Sequence, residues 1–189
     1  MSEAVMRYIL LSVLCALTFF FTACSTSHST DRLAYQNSTL SVEGIFTINE
    51  EEIPIKLTLA APEYDEEGRM LARDATLTLG ENSIISGVCF EITDGEIYIS
   101  SGTLKIPIKD EGAVLGISDI ISLFCIEGEH YHSSESVREN GLKCERAMYV
   151  NGDNRVFVTV DTNTMLPTDI VAEIGTRVIS ADISYIKAE

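Results

Sequence analysis

The sequence TLSVEGIFTINEEEIPIKLTL, residues 39–59, has apolar side chains at alternate positions on both sides of a short acidic connection. Before the connection these residues are Leu40, Val42, Phe46 and Ile48, and after it they are Ile53, Ile55, Leu57 and Leu59. Side chains two apart in a β-strand lie on the same face of a sheet. Residues 39–59 therefore predict an antiparallel hairpin with one apolar face, turning at residues 49–52.

The same two-residue period continues along the chain and predicts further short strands. It recurs around residues 75–79, 88–92, 97–99, 104–108, 142–148, 156–160, 170–174 and 179–185. Turn residues separate these runs, and Asn151-Gly152 is the strongest hairpin signal among them. We expect about ten antiparallel strands in one domain covering residues 39–189.

One segment departs from the strand period. Apolar residues at positions 117, 120, 121, 124 and 125 have the spacing of a helix that ends before Gly128. Leu123 and Ile126 fill the remaining faces, so we expect the sheet to envelop this helix. The whole pattern favours a mainly β fold, in which a curved antiparallel sheet, an incomplete barrel, wraps around one apolar helix. A sandwich of two sheets with a connecting helix is the alternative.

The amino-terminal segment predicts export and lipid attachment. Residues 8–21, YILLSVLCALTFFF, carry no charge and are too short to span a bilayer comfortably, which is typical of a secretory signal. The following Thr22-Ala23-Cys24 resembles the lipobox of bacterial lipoproteins, with Phe21 where Leu is usual. The resemblance implies that residues 1–23 are removed and that Cys24 carries a diacylglycerol anchor. A plain secretory signal and an uncleaved anchor are the alternatives, and a start at Met6 instead of Met1 would give a more ordinary signal.

Charge limits the partners of the chain. It has 13 basic and 29 acidic residues and a formal net charge of −16. Nucleic acid is a poor partner, because phosphate binding needs clustered Lys and Arg. We expect an extracytoplasmic domain that Cys24 attaches to the outer face of the cytoplasmic membrane, or to the outer membrane in a cell with two membranes. Residues 24–38 are polar and without periodicity, and we interpret them as a tether.

Two stretches resemble the LolA-like and LolB-like lipoprotein carriers and their relatives. Residues 158–170, VTVDTNTMLPTDI, are similar to a strand, turn and strand of that family, and residues 41–46 with 53–62 are similar to its first hairpin. The resemblance covers most of residues 39–187. The sequence departs from the family at Met165, where glycine is common, so we expect the left-handed residue at Asn163 or another neighbour, or a different turn.

The family resemblance implies an incomplete barrel with an apolar cavity that accepts acyl chains. Carriers of this family pass lipoproteins between membranes, and lipid-anchored relatives bind lipids or regulate envelope enzymes. A clostridial subset of similar size and anchor is implicated in spore germination as a partner of a cortex-degrading amidase. We therefore expect an apolar ligand, either a lipid or lipoprotein acyl chains. A non-catalytic partner of a cell-envelope or spore-cortex hydrolase is the alternative.

A few side chains are candidates for a binding site. The candidates for lining a cavity, each of them also a candidate for the packed core, are Leu57, Leu59, Ile121 and Val158. One polar segment has residue types that bind metals, namely Glu127, Glu129, His130 and His132, and a solvated loop is the alternative. No cofactor is expected. No serine lies in a G-x-S-x-G motif, and we expect no enzymatic activity.

Three cysteines remain after the anchor residue, namely Cys89, Cys125 and Cys144. Cys125 and Cys144 could form a disulfide that ties the helix to a strand. Buried reduced thiols are the alternative, because all three cysteines alternate with apolar neighbours.

Overall fold

The computed structural model describes residues 31–48, 50–67, 70–71, 73–80, 87–101 and 103–189. The predicted signal peptide, the anchor Cys24 and residues 25–30 of the predicted tether lie outside the described residues. The described strands form one sheet, and the buried apolar residues form one core cluster.

Eleven strands form one antiparallel sheet. In chain order they are β1 (Leu40–Ile48), β2 (Glu51–Leu59), β3 (Ala75–Leu79), β4 (Cys89–Thr93), β5 (Glu96–Ser101), β6 (Leu104–Pro107), β7 (Tyr131–Glu139), β8 (Leu142–Asn151), β9 (Asn154–Asp161), β10 (Pro167–Ile174) and β11 (Arg177–Ala188). Their order across the sheet is β6-β5-β4-β3-β2-β1-β11-β10-β9-β8-β7. The first and last strands therefore meet in the middle, and β6 and β7 are the two edges. All eleven strands belong to one sheet, which is not closed into a barrel. The predicted mainly β fold with an incomplete barrel is therefore confirmed, and the alternative of a two-sheet sandwich is wrong.

The one α-helix of the described residues, α1 (Glu111–Ser122), connects the two edges of the sheet. The chain leaves the sheet at β6 and returns at β7 on the opposite edge, so this connection crosses the concave face. There α1 buries Ile117 and Ile120, and the turn after it buries Leu123 and Phe124. Each fully buried side chain of this kind contributes about 1.5–3 kcal/mol. The predicted curved sheet around a helix is confirmed.

The core lies on the concave face and includes the alternating residues of the first hairpin. Leu40 pairs with Leu59 and Val42 pairs with Leu57 across β1 and β2, and all four side chains are fully buried. The ring of Phe46 lies 6.4 Å from the ring of Phe124, which follows α1. The period of two in the sequence therefore becomes one continuous apolar surface under the helix.

The helix begins and ends earlier than the sequence predicted. It begins at Glu111 and ends at Ser122, so the apolar residues 123–126 lie beyond it. Leu115, Ser118 and Ser122 are exposed, so the sheet covers one face of α1 and does not envelop it. The prediction of a helix apolar nearly all round was wrong because it included residues of the following turn.

Residues 131–139 form the edge strand β7, although the sequence favoured a polar loop around its start. The strand pairs with β8 only. An edge strand with little buried surface needs no apolar alternation, and YHSSESVRE shows none. Because residues 131–139 lack the two-residue alternation of apolar side chains, the sequence did not predict this strand.

The end of the predicted tether is folded. Residues Asp31–Asn37 form a 3₁₀ helix, and Leu33 and Tyr35 belong to the core. The side chain of Gln36 accepts a hydrogen bond of 3.0 Å from the backbone N–H of Ile126. The polar composition suggested an exposed tether, but Arg32 and Gln36 are buried and make hydrogen bonds within the fold. The tether interpretation is wrong for residues 31–37.

The turn between β9 and β10 places Met165 itself in the left-handed region, with φ of 57°. Its backbone N–H donates to the carbonyl oxygen of Asp161 at 2.8 Å. The Asp161 carboxylate in turn accepts a bond of 2.9 Å from the backbone N–H of Asn163. The expectation that Asn163 or another neighbour would replace the family's glycine is therefore wrong, since Met165 adopts the conformation itself.

Candidate functional site

A cleft of about 420 Å³ lies between α1, the β4–β5 hairpin and the residues that precede β3. Apolar side chains form most of its wall, namely Met70, Leu71, Ile92, Ile97, Val114 and Ile121. The remaining lining residues are Arg73, Gly95, Ser118, Ser122, Cys125 and Glu127. Its volume is within the usual range of small-molecule sites, and such sites combine apolar walls with a few polar groups. We call it the α1 cleft.

Helical spacing separates the two faces of α1. Val114, Ser118 and Ile121 are three or four residues apart and line the cleft, whereas Ile117 and Ile120 point into the core. The small side chain of Ser118 leaves room in the middle of this wall. The end of α1 is held to the other half of the sheet, because Arg177 at the start of β11 pairs with Asp119 at 2.5 Å.

Arg73 lines the α1 cleft and is only 4% exposed. Its Nε donates to the carbonyl oxygen of Ala60 at 2.8 Å, and its Nη2 donates to that of Ser38 at 2.8 Å. A longer bond of 3.4 Å joins its Nη1 to the carbonyl oxygen of Phe124, just beyond the end of α1. Carbonyl oxygens near the end of a helix carry partial negative charge, so this position suits a cation. One side chain thus joins three segments that are far apart in the sequence.

Cys125 lies beside Arg73 in the wall of the cleft. Burial raises the pKa of its thiol, and the neighbouring guanidinium of Arg73 opposes part of that rise. The net rise keeps the thiol protonated at neutral pH, so it is a weak hydrogen-bonding group and not an activated nucleophile.

The four residues predicted to line a cavity lie in two different environments. Ile121 lines the α1 cleft. Leu57, Leu59 and Val158 are 0% exposed and pack in the core of the sheet. The alternation that made these strand residues candidates also describes a packed core, and the structure places them there.

Cys89, Cys125 and Cys144 are free thiols in the structure. Cys125 lines the α1 cleft, whereas Cys144 lines a second cavity on the opposite face of the sheet. Cys144 lies two residues from Arg146 on β8, and both side chains line that second cavity.

The metal-binding candidates are only partly brought together. Ligand atoms of Glu127, Glu129 and His130 lie within 4.8 Å of one another, and Glu127 Oε2 is 2.8 Å from His130 Nε2. His132 is exposed and outside this group. A 3₁₀ turn, Gly128–His130, brings Glu127 and His130, which are three residues apart, together. The two acids of this group are exposed and His130 is half-buried, and Glu127 and His130 already bind each other.

The second cavity, of about 520 Å³, was not anticipated from the sequence. Its charged lining residues are Glu139, Arg146, Asp169 and Asp182. Arg146 Nη2 donates to Glu139 Oε1 at 2.6 Å, and its Nε donates to the hydroxyl of Thr159 at 3.2 Å. Burial raises the pKa of Asp169 to about 6, and the charges of Glu139 and Asp182 add to that rise. The three acids lie on three different strands, so their proximity could be predicted only from the order and register of the strands.

Comparison with known proteins gives likeness of fold. No model of a protein family matches the chain, and no curated protein matches it. MucB is 14% identical over 85% of this chain with a TM-score of 0.46, and the chain spans 57% of the length of MucB. The complex of MucA and MucB from Pseudomonas aeruginosa is similar as well.

Two further solved structures are similar to this chain at comparably low identity. LprF from Mycobacterium bovis is 11% identical over 85% of this chain and 91% of its own, with a TM-score of 0.43. A LolA superfamily protein from Nitrosomonas europaea is 10% identical over 87% of this chain and 94% of its own, with a TM-score of 0.34. The likeness is one of fold alone. Among the described residues, no helix combines the length and the apolar character needed to cross a membrane.

Proposed function

We propose that the protein is an extracytoplasmic lipoprotein, attached to a membrane through Cys24, that binds an apolar ligand in the α1 cleft. The ligand is a lipid or the acyl chains of another lipoprotein. The observation that carries the proposal is the cleft itself, whose walls are mostly apolar and whose volume of about 420 Å³ is that of a ligand site. No catalytic step forms part of the proposal.

The walls of the cleft favour a hydrocarbon chain over a polar ligand. Val114 of α1 and Ile97 of the sheet line it together with the exposed Leu71, so apolar surface comes from both the helix and the sheet. Burying each methylene of an acyl chain contributes about 0.8 kcal/mol. Ten buried methylenes therefore contribute about 8 kcal/mol, from which the cost of association is subtracted. We expect dissociation constants in the micromolar range or weaker.

The folded 3₁₀ helix brings the domain close to the proposed anchor. Only residues 25–30 separate Cys24 from Asp31, where the described fold begins. Six extended residues reach about 20 Å. If Cys24 is acylated, this short connection holds the domain next to the bilayer, where a lipid ligand is available. A diacylglycerol group with further acylation anchors stably.

The test uses the chain from Ser25 onward, which contains every described residue. Lipid extraction and mass spectrometry after mild purification identify bound lipid, and a fluorescent fatty acid measures affinity. The substitution Ser118→Trp places a large ring in the middle of the cleft wall, and we expect it to weaken probe binding at least about tenfold.

The matched control is Leu115→Trp, on the same helix but outside the cleft lining and 54% exposed. It should bind the probe as the parent does. Absence of bound lipid together with absence of probe binding to the parent would contradict the proposal. Equal probe binding by the two tryptophan variants would show that the ligand lies elsewhere.

A second candidate function is that of a non-catalytic partner of a cell-envelope or spore-cortex hydrolase. The exposed edge of the sheet supports it, because Leu104 and Ile106 of β6 and Ile99 of β5 are large exposed apolar residues. An open edge accepts a strand from a partner. Co-purification of a cell-wall hydrolase with the tagged protein, and its loss with Ile106→Asp, would support this function. Unchanged recovery of the hydrolase with Ile106→Asp would count against the edge as its binding surface.

A further inference from the structure

Arg73 is a buried cation that takes part in none of the ion pairs among the described residues. Its hydrogen bonds go to neutral carbonyl oxygens of Ser38, Ala60 and Phe124. Buried charges in proteins are as a rule paired with an opposite charge, because the loss of hydration is costly. The carbonyl groups compensate for only part of that loss.

The guanidinium also retains hydrogen-bonding capacity. It has five N–H donors, and the three described bonds use one on each nitrogen. One further N–H therefore remains on Nη1 and one on Nη2. Their neighbour in the wall of the cleft is Cys125, whose thiol is a weak acceptor.

The described lining of the cleft offers an anion one cation. Among its described lining residues, Arg73 is the one basic side chain. The one acid is Glu127, whose carboxylate is 65% exposed and lies 2.8 Å from His130 Nε2. With a net charge of −16 the protein as a whole repels anions, so a site for one depends on a local cation.

We propose that the α1 cleft binds a single-chain fatty acid, with its carboxylate on Arg73 and its hydrocarbon chain between Ile97, Val114 and Ile121. This inference rests on the proposed function and names its ligand class. A planar carboxylate with two oxygens matches the two remaining N–H groups of a guanidinium. The bound carboxylate replaces the weak thiol contact and supplies the opposite charge that Arg73 lacks among the described residues.

The test compares ligands of one chain length on the chain from Ser25 onward. The measurement is displacement of the fluorescent probe at pH 8. The four competing ligands are dodecanoate, dodecanol, dodecylamine and monododecyl phosphate. We expect dodecanoate to bind about tenfold tighter than dodecanol, because a hydrogen-bonded charge pair contributes more than a neutral hydroxyl. Dodecylamine should bind more weakly than the alcohol.

The outcomes separate the two proposals. If the probe does not bind and no bound lipid is recovered, the proposed function fails. If the probe binds but dodecanoate does not displace it, the proposed function stands and the fatty-acid assignment is overturned. If dodecanol binds as tightly as dodecanoate, the proposed function stands and the role of Arg73 is overturned. Tighter binding of monododecyl phosphate than of dodecanoate would overturn the assignment of a carboxylate.

Substitutions at Arg73 add a second measurement. We expect Arg73→Gln to reduce the ratio of acid to alcohol affinity to about one, and Arg73→Lys to keep part of it. The matched control is Arg177→Gln, which removes a cation that pairs with α1 but does not line the cleft. That control should retain the full ratio. Circular dichroism establishes that each variant is folded, and the ligand series on the parent protein decides the question even if an Arg73 variant does not fold.

Discussion

Asp169 on β10 and Asp182 on β11 are direct cross-strand partners, so two carboxylates face each other on the sheet surface opposite the core. Their strand neighbours Ile170 and Ala181 also pair and are fully buried in the core. Like charges directly opposite on neighbouring strands destabilise a sheet. The protonation state of this pair should therefore affect the stability of the protein.

The first prediction concerns Asp169→Asn. Burial, then the charge of Glu139 and of Asp182, raises the pKa of Asp169 to about 6, against the opposing effect of Arg146. Because the pKa is raised in the folded state, the stabilising contribution is present below the ordinary pKa and is lost as the pH rises through about 6. Asparagine should therefore increase the free energy of unfolding by about 1 kcal/mol at pH 8, allowing for partial solvent exposure, and not at pH 4.

Urea denaturation at the two pH values measures this effect. The control is Asp153→Asn, in the exposed turn between β8 and β9, which should change stability little at either pH. An equal gain for Asp169→Asn at pH 4 and pH 8 would show that ionisation is not its cause.

The second prediction concerns the left-handed residue of the β9–β10 turn. Met165 has φ of 57°, a conformation that costs a residue with a Cβ atom about 1 kcal/mol or more. Met165→Gly and Met165→Ala both remove the side chain, but only glycine relieves the strain. We expect the glycine variant to be more stable than the alanine variant by about 1 kcal/mol in thermal or urea unfolding. Equal stability of the two would contradict strain at this position.

The third prediction concerns Gly44, where β1 has a register shift against β11. A Cβ atom at Gly44 would lie 2.3 Å from the carbonyl oxygen of Asp182, a contact with backbone that cannot move aside cheaply. Gly44→Ala should lower the free energy of unfolding by about 2 kcal/mol or more. Gly116→Ala is the control, because a Cβ atom there meets nothing within 4 Å and the position lies inside α1. It should raise stability by about 0.5–1 kcal/mol, and the same sign for both variants would contradict this account.

The fourth prediction concerns the attachment of the 3₁₀ helix. Arg32 is buried, and its Nη2 is 2.5 Å from Glu145 Oε1 on β8. Glu145→Gln leaves the Arg32 charge buried without its carboxylate, so we expect a loss of about 2 kcal/mol in the free energy of unfolding.

An exposed ion pair provides the comparison for that variant. Arg155 and Glu173 are 3.7 Å apart, with side chains 59% and 44% exposed. Glu173→Gln should change stability by less than about 0.5 kcal/mol, because solvent screens such pairs. Similar losses for Glu145→Gln and Glu173→Gln would show that burial of Arg32 does not matter.

The predictability of the sheet differed between its strands. The first hairpin was predictable because Leu40, Val42 and Phe46 all face the core, which imposes a period of two on the sequence. Strand β7 was not, because it lies at an edge and buries little apolar surface. The 3₁₀ helix was not predicted because its polar residues, such as Arg32 and Gln36, are buried with hydrogen-bond partners, whereas a polar sequence usually indicates an exposed segment.

Little of the candidate site could be predicted. Ile121 was anticipated because helical spacing near residue 120 is visible in the sequence. Arg73 was not, because a single arginine before a strand carries no periodic signal. Its partners come from residues 38, 60 and 124, and their meeting depends on how α1 and the 3₁₀ helix pack on the sheet.

The amino-acid sequence by itself determined the strand period, most of the turns and the presence of a helix, because these depend on residues that are neighbours in the chain. Only the tertiary structure decided that Arg73 lies in an apolar cleft and that Asp169 faces Asp182. Those relationships depend on strand register and on the packing of distant segments. Whether a buried charge stabilises or destabilises the protein depends on the groups that the fold places around it.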